Sequence, residues 1–345
     1  MKYVILKKNK LDEFIVNLSK QKKVMAPVSK GYNNYAFEEV TRGGQIALKY
    51  IPTILPPKKY FMPQYETVVE YDTKDGKQNM EAIVEYDEMI LFGVHTCDLA
   101  GIQSLNVVFS DRPKDLNYII RKNKIILIGL ECNDYCDEHA SCKLVNNELP
   151  NGGYDLFFTD LGDFFLVHVN TWEGENLISL TKVFEPADDI HMKKREKLRA
   201  KKREIFKNEV KINPDQIPDL FDRSHNSKVW YKLGERCLSC GNCTNVCPTC
   251  HCFDVEDEIN LDLKTGKRIR IWDSCQHESF AKVAGGENFR RKAAGRQRHR
   301  YFRKFKYPVD KFSRYFCTGC GRCSRTCMAD IRLKETLDDL IKESI

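Results

Sequence analysis

Two short cysteine runs constrain this chain more than any other feature. Cys237, Cys240, Cys243 and Cys247 follow the spacing Cys-x2-Cys-x2-Cys-x3-Cys, closed by Pro248, and Cys317, Cys320, Cys323 and Cys327 repeat it. Three thiols two residues apart turn a backbone around one face of an iron–sulfur cube, and the fourth cysteine serves a neighbouring cube. The pattern predicts two [4Fe-4S] clusters with exchanged fourth ligands. Cys237, Cys240, Cys243 and Cys327 go to the first, and Cys247, Cys317, Cys320 and Cys323 to the second. Zinc competes for paired Cys-x2-Cys, but it takes four ligands. Three evenly spaced cysteines plus a fourth, occurring twice, fit zinc poorly. The second run ends in Cys327-Met328 rather than Cys-Pro, which removes a turn preference but no ligand. All eight positions are cysteine, so neither cube has an evident open site for a substrate.

The remaining cysteines bring the total to 15 in 345 residues. The start, Met1 to Lys8, lacks the apolar stretch of a signal peptide, and no 18-residue apolar run occurs, so neither secretion nor a membrane span is expected. Without secretion, cysteines on this scale point to metal or redox chemistry rather than disulfides, and the cytoplasm is the expected location. The net charge of +7 does not by itself imply a nucleic-acid partner. With 42% hydrophobic and 30% charged residues the chain has an ordinary globular balance, which excludes wholesale disorder.

The fold class expected is α+β in two domains: an N-terminal α/β domain (1–190), a charged helix and linker (191–229), and a mainly helical, ferredoxin-like dicluster domain (230–345). Leu11, Phe14, Ile15 and Leu18 have helical spacing, with Asn9 as the expected cap. Segments 66–71 and 81–85 are rich in Val and Ile and read as strands. Residues 89–94 and 125–130 are apolar strand runs flanking a helix with Leu99, Ile102, Leu105 and Phe109, for which Asp98 is the expected cap. Strand, helix, strand predicts a parallel crossover. The stretch 193–207 reads as a solvated helix face, followed by breakers at Pro214 and Pro218. The C-terminal half reads as helical and loop-rich. The 69 residues between the two cysteine runs form an insertion, tolerable because loop-closure entropy grows only slowly with length.

Cys97 and Cys132 each follow the C-terminal end of a predicted parallel strand, the edge where open sheets bind ligands. With Cys136 and Cys142 they are a candidate third cluster site. The alternative is a set of packed free thiols. His95 reads as a packed residue rather than a ligand. Cys250, Cys252 and Cys275 are left over, either packed beside a cluster or tuning its potential by S–H hydrogen bonds. Between Arg290 and Lys306 there are nine Lys or Arg residues and no acid, interleaved with Tyr301, Phe302 and Phe305. A partner-docking face, charge stabilising reduced clusters, or a solvated surface suits this run better than phosphate contacts with base stacking. Neither nucleic acid nor membrane is an expected partner.

Longer strings carry a resemblance. They are Leu55-Pro56-Pro57-Lys58-Lys59-Tyr60-Phe61, Phe92-Gly93-Val94-His95-Thr96-Cys97-Asp98 and Gly153-Tyr154-Asp155-Leu156-Phe157-Phe158. Further on come Cys247-Pro248-Thr249-Cys250-His251-Cys252-Phe253, Trp272-Asp273-Ser274-Cys275-Gln276 and Ala284-Gly285-Gly286-Glu287-Asn288-Phe289-Arg290. Over nearly its whole length the chain resembles the iron–sulfur beta subunit of sulfhydrogenases, the soluble NAD(P)-linked [NiFe] hydrogenases. It is similar also to the iron–sulfur subunit of anaerobic sulfite reductase, of the same family; the first three strings favour the sulfhydrogenase branch. The resemblance implies an electron carrier between an NAD(P)H-linked flavoprotein and a separate catalytic subunit, either a [NiFe] hydrogenase or a siroheme sulfite reductase. The absence of a Gly-x-Gly-x-x-Gly fingerprint agrees, since the chain then offers no dinucleotide site of its own. In the family the third cysteine group usually ends Cys-x-Cys; here Ala140 stands at its first position and Cys136 occurs instead. Asp98 or His139 are the alternative fourth ligands.

Overall fold

The computed structural model describes residues 2–74 and 78–344. Its strands are β1 (Lys2–Lys7), β2 (Lys23–Ser29), β3 (Tyr35–Glu39), β4 (Tyr65–Asp72), β5 (Asn79–Ala82) and β6 (Met89–His95). They continue with β7 (Ile125–Leu130), β8 (Leu156–Asp160), β9 (Phe164–Val169), β10 (Phe184–Pro186), β11 (Phe253–Ile259) and β12 (Thr265–Trp272). The helices are α1 (Leu11–Ser19), α2 (Thr96–Phe109), α3 (Leu116–Lys124), α4 (Trp172–Ser179), α5 (Asp189–Ile205) and α6 (Ile217–Arg223). They continue with α7 (Val229–Arg236), α8 (Asn242–Asn245), α9 (Ala293–Phe305), α10 (Tyr307–Phe312), α11 (Arg322–Arg325) and α12 (Leu333–Glu343). The described residues form a mixed α/β protein with two sheets.

The larger sheet has the order β10-β1-β9-β8-β7-β6-β2-β3. β2, β6, β7 and β8 pair in parallel at its centre. β6 is buried throughout because both faces of the sheet are covered, which is why it reads as an unbroken apolar run. Its Ile90 and Phe92 join a core under α1, while Leu91 and Val94 join a second core under α2. The parallel β6–β7 pair and both flanking helices match expectation. The two expected caps do not. Lys10 precedes α1, and Asn9 lies in a short 3-10 turn before it. α2 follows β6 without a loop, so His95 is its cap, and Asp98 is buried inside the first turn.

The smaller sheet, β11-β12-β4-β5, joins distant parts of the chain. β4 and β5 come from the N-terminal half, and the β11–β12 hairpin lies in the insertion between the cysteine runs. The helical reading of the C-terminal half did not anticipate this hairpin. Buried charge fastens the sheet to α3. Glu66 of β4 is fully buried and accepts from Arg270 Nε of β12 at 2.6 Å, while Arg121 of α3 is its second partner.

The C-terminal helices share one core, with Phe221, Trp230, Leu233, Tyr301, Phe305, Leu337 and Leu340 at its centre. The charged helix expected near 193–207 is α5, and Asp188 caps it by accepting from the Ile190 and His191 N–H groups. Most of it is exposed, but Lys202 turns inward. It donates to Glu131 at 2.9 Å and to the Glu148 carbonyl at 3.0 Å, fixing the segment after β7.

Candidate iron–sulfur centres

The two cysteine runs adopt one backbone form twice. Ser239 and Gly319 have φ of 54° and 69°, and Gly241 and Gly321 have φ of 74° and 73°. Each of the latter glycines opens a one-turn helix, α8 or α11, that carries the third cysteine of its run. Glycine adopts this left-handed conformation at little cost. At Gly321 space demands it as well, since a Cβ would meet the backbone of His139 and Ala140. Asn242 Nδ2 donates to the Thr326 carbonyl at 2.6 Å and ties the loops together.

The fourth cysteine of each run turns toward the other run. Cys237, Cys240, Cys243 and Cys327 line one cavity, together with Cys323, Gln297 and Arg300. Cys317 has Cys323, Cys320 and Cys247 as electrostatic neighbours. The donor set fits iron–sulfur cubes. No carboxylate lines the cavity. The Ser239 N–H donates to Cys237 Sγ at 3.4 Å and the Ile331 N–H to Cys327 Sγ at 3.3 Å. Burial pushes the Cys243 thiol up to about 12, and a bound cation is what makes a buried thiolate tolerable.

Helix α9 lies alongside both loops. Arg296, Arg300 and Lys304 recur every fourth residue, so they share one helix face, and all three are buried. Arg296 Nη2 donates to Ser239 Oγ at 2.9 Å. Arg300 has Cys243 and Cys323 as its strongest electrostatic partners. Lys304 Nζ donates to Cys247 Sγ and Cys250 Sγ, each at 3.2 Å, and to Thr249 Oγ1 at 2.6 Å. Burial alone would lower the Lys304 pKa, but Cys247 and Cys250 outweigh it and hold the group above its ordinary value. Gln297 Nε2 donates to Cys237 Sγ at 2.8 Å. Of the readings open for the basic run, charge compensation beside the thiols is the one these inward cations support. Tyr301, Phe302 and Phe305 lie in the core and present no stacking platform.

Lys58 has no motif of its own to mark it as functional, although it stands in one of the strings carrying the resemblance. Its Nζ donates to the Cys250 carbonyl at 2.8 Å and lies 4.1 Å from the centre of the Trp272 ring. Burial lowers its pKa to about 8.

The four cysteines of the N-terminal half converge. Cys97 lies in the first turn of α2, Cys132 just beyond β7, and Cys136 and Cys142 in the segment that follows. Cys132 is the strongest electrostatic neighbour of Cys136, with Cys97 and Cys142 next. Burial pushes Cys142 up to about 12. His95 joins the group: its nearest ligand atom and those of Cys132 and Cys136 lie within 4.8 Å of one another. Its Nδ1 is buried without a hydrogen-bond partner, and its ring stacks on Tyr50. The two substitute ligands are engaged elsewhere. Asp98 takes both Arg322 Nη groups at 2.6 and 2.8 Å, and His139 pairs with Glu138 at 3.5 Å. Cys320 of the second run neighbours both Cys97 and Cys142. The group therefore adjoins the second loop, with the buried Arg322–Asp98 pair beside it.

Paired cysteine loops, cations turned onto their sulfurs and thiols gathered at a sheet edge define an iron–sulfur electron-transfer protein. Residues 236–331 match the 4Fe-4S dicluster domain family. Over 341 residues the chain is 34% identical to sulfhydrogenase 2 subunit beta of Pyrococcus furiosus, a match spanning 99% of this chain and 98% of that one. The chain belongs to the sulfhydrogenase beta-subunit family and is an iron–sulfur electron-transfer subunit of a hydrogenase-type complex. No solved structure matches it. Among the described residues no helix is long and apolar enough to cross a membrane.

Proposed function

We propose that the chain is a three-stop electron wire. Cys237, Cys240, Cys243 and Cys327 hold the first [4Fe-4S] cluster, and Cys247, Cys317, Cys320 and Cys323 the second. Cys97, Cys132, Cys136 and Cys142 hold a third, with His95 beside them. A bound cube accepts and releases one electron with little change of shape, at a potential set by charge and hydrogen bonds around its sulfurs. The protein's own part is to space the ligands, exclude water and set the surrounding charge. The observation that carries the reading is adjacency. Cys323 lies against the first thiol set, and Cys320 lies against the sheet-edge set. The order first, second, third follows.

The likeness to a sulfhydrogenase beta subunit supports a cytoplasmic complex in which an NAD(P)H-linked flavoprotein and a [NiFe] catalytic subunit stand at the two ends of the wire. Anaerobic affinity purification from the host, with iron analysis and mass spectrometry of the partners, tests both parts. About twelve irons per chain is expected, together with a flavoprotein and a nickel–iron subunit. About eight irons would remove the third cluster. A siroheme subunit in place of the nickel–iron one would move the complex to sulfite reduction.

A further inference from the structure

Three cysteines lie outside the proposed ligand sets, and they meet in one cavity. Cys250, Cys252 and Cys275 line it together with Arg303, Lys304 and His299. No carboxylate lines this cavity. Within it Cys252 and Cys275 are each the other's strongest electrostatic neighbour. Local structure explains the meeting. The β11–β12 hairpin pairs Phe253 with Trp272, and the Asp273 N–H donates to the Cys252 carbonyl at 3.1 Å. The two thiols thus flank the open end of the hairpin. Neither packs in one of the apolar cores.

A chain of amides links the pair to the first loop. Gln276 Nε2 contacts Cys275 Sγ at 3.5 Å, and Gln297 Nε2 donates to Gln276 Oε1 at 3.0 Å and to Cys237 Sγ at 2.8 Å. Lys304, which donates to Cys247 Sγ and Cys250 Sγ, is also an electrostatic neighbour of Cys275. A metal site is the competing use of these thiols. Among the described residues the group with ligand atoms within 4.8 Å is His95, Cys132 and Cys136, not this trio. The surrounding cations also oppose a bare metal ion.

We propose that Cys252 and Cys275 are a dithiol–disulfide couple that exchanges two electrons with the adjoining iron–sulfur pair. On oxidation a bond forms between the two Sγ atoms, both S–H bonds break, and two protons leave into the open cavity. Two electrons pass on, one to each cluster. Reduction reverses every step: one electron returns from each cluster, two protons enter, and the S–S bond breaks. The couple stores electrons as a pair beside carriers that each hold one. It rests on the two-cluster reading.

The test uses the anaerobically purified, iron-loaded protein. It is poised with redox mediators across the range in which its clusters titrate, quenched in acid, alkylated with N-ethylmaleimide and mapped by peptide mass spectrometry. The expected result is a Cys252–Cys275 linked peptide at the oxidised end and two alkylated thiols at the reduced end, interconverting with a two-electron slope. The Cys252→Ser/Cys275→Ser double variant takes up two fewer reducing equivalents per chain while keeping wild-type iron and cluster spectra. Thiols alkylated at every potential on iron-loaded protein overturn the couple alone. Loss of iron from the double variant overturns it too, by making the thiols ligands. A wild-type chain without iron overturns the cluster reading and the couple with it.

Discussion

The two cysteine loops share one backbone but not one electrical environment. Around the first, the nearest donors to sulfur are neutral: the Gln297 amide and the Ser239 and Ile331 N–H groups. This loop also reaches the surface, where Cys240, Leu238 and Met328 are exposed. Around the second, buried cations act directly. Lys304 donates to Cys247, and Arg322 lies against Cys320, with Arg300 facing both loops. A nearby cation favours the state carrying an extra electron, and in a buried site it acts through a low dielectric. A cluster held by the second loop is therefore expected to be the better electron acceptor of the two. The difference teaches that two loops of one backbone form acquire different charge from the residues packed on them, Lys304 of α9 and Arg322 of α11.

Ligand loss should break the comparison most severely. Cys240→Ala should remove about four irons per chain and leave the second and third signals intact. Cys320→Ala should remove about four and also disturb the sheet-edge group, which it adjoins. Iron analysis with electron paramagnetic resonance reads both, and equal, isolated losses would contradict the adjacency. Next comes Arg322→Gln. It strands the buried Asp98 carboxylate, and removing one partner of a buried pair costs about 3–5 kcal/mol. Anaerobic denaturation of the holoprotein measures this, and a change under about 1 kcal/mol would mean that the pair does not bind the halves together.

The charge argument itself is sharpened by Lys304→Met. One unit charge at about 4 Å and an effective dielectric near 20 is worth about 4 kcal/mol, so the second cluster should fall by about 170 mV while the first stays in place. A redox titration in which both clusters moved equally would remove the asymmetry. The smallest effect is expected from Gln297→Leu. Loss of one hydrogen bond of about 1 kcal/mol should lower the first cluster by about 40 mV. No shift, or a shift confined to the second cluster, would deny Gln297 its role.

Much of the molecule was legible before it was folded. α1, α2, β6 and β7 announced themselves because each buries an apolar face or run against a core. The β11–β12 hairpin did not, because β11 is exposed along its whole length and so carries no buried face to betray a strand. Asp98 looked like a helix cap because its side chain is the capping type. Its partner, Arg322, stands 224 residues away and is invisible to local spacing. The inward turn of Arg296, Arg300 and Lys304 had a signal in their four-residue period, masked by the outward cations between them.

The sequence by itself determined the number and spacing of thiols in the two loops. A Cys-x2-Cys-x2-Cys segment with left-handed residues between its cysteines wraps a cube through local backbone geometry alone. Tertiary structure decided the rest. It chose which cations face which sulfur, and that the group of Cys97, Cys132, Cys136 and Cys142 lies beside Cys320. Those choices depend on contacts between segments far apart in the chain, fixed by burying apolar faces and pairing buried charge. No local pattern records them.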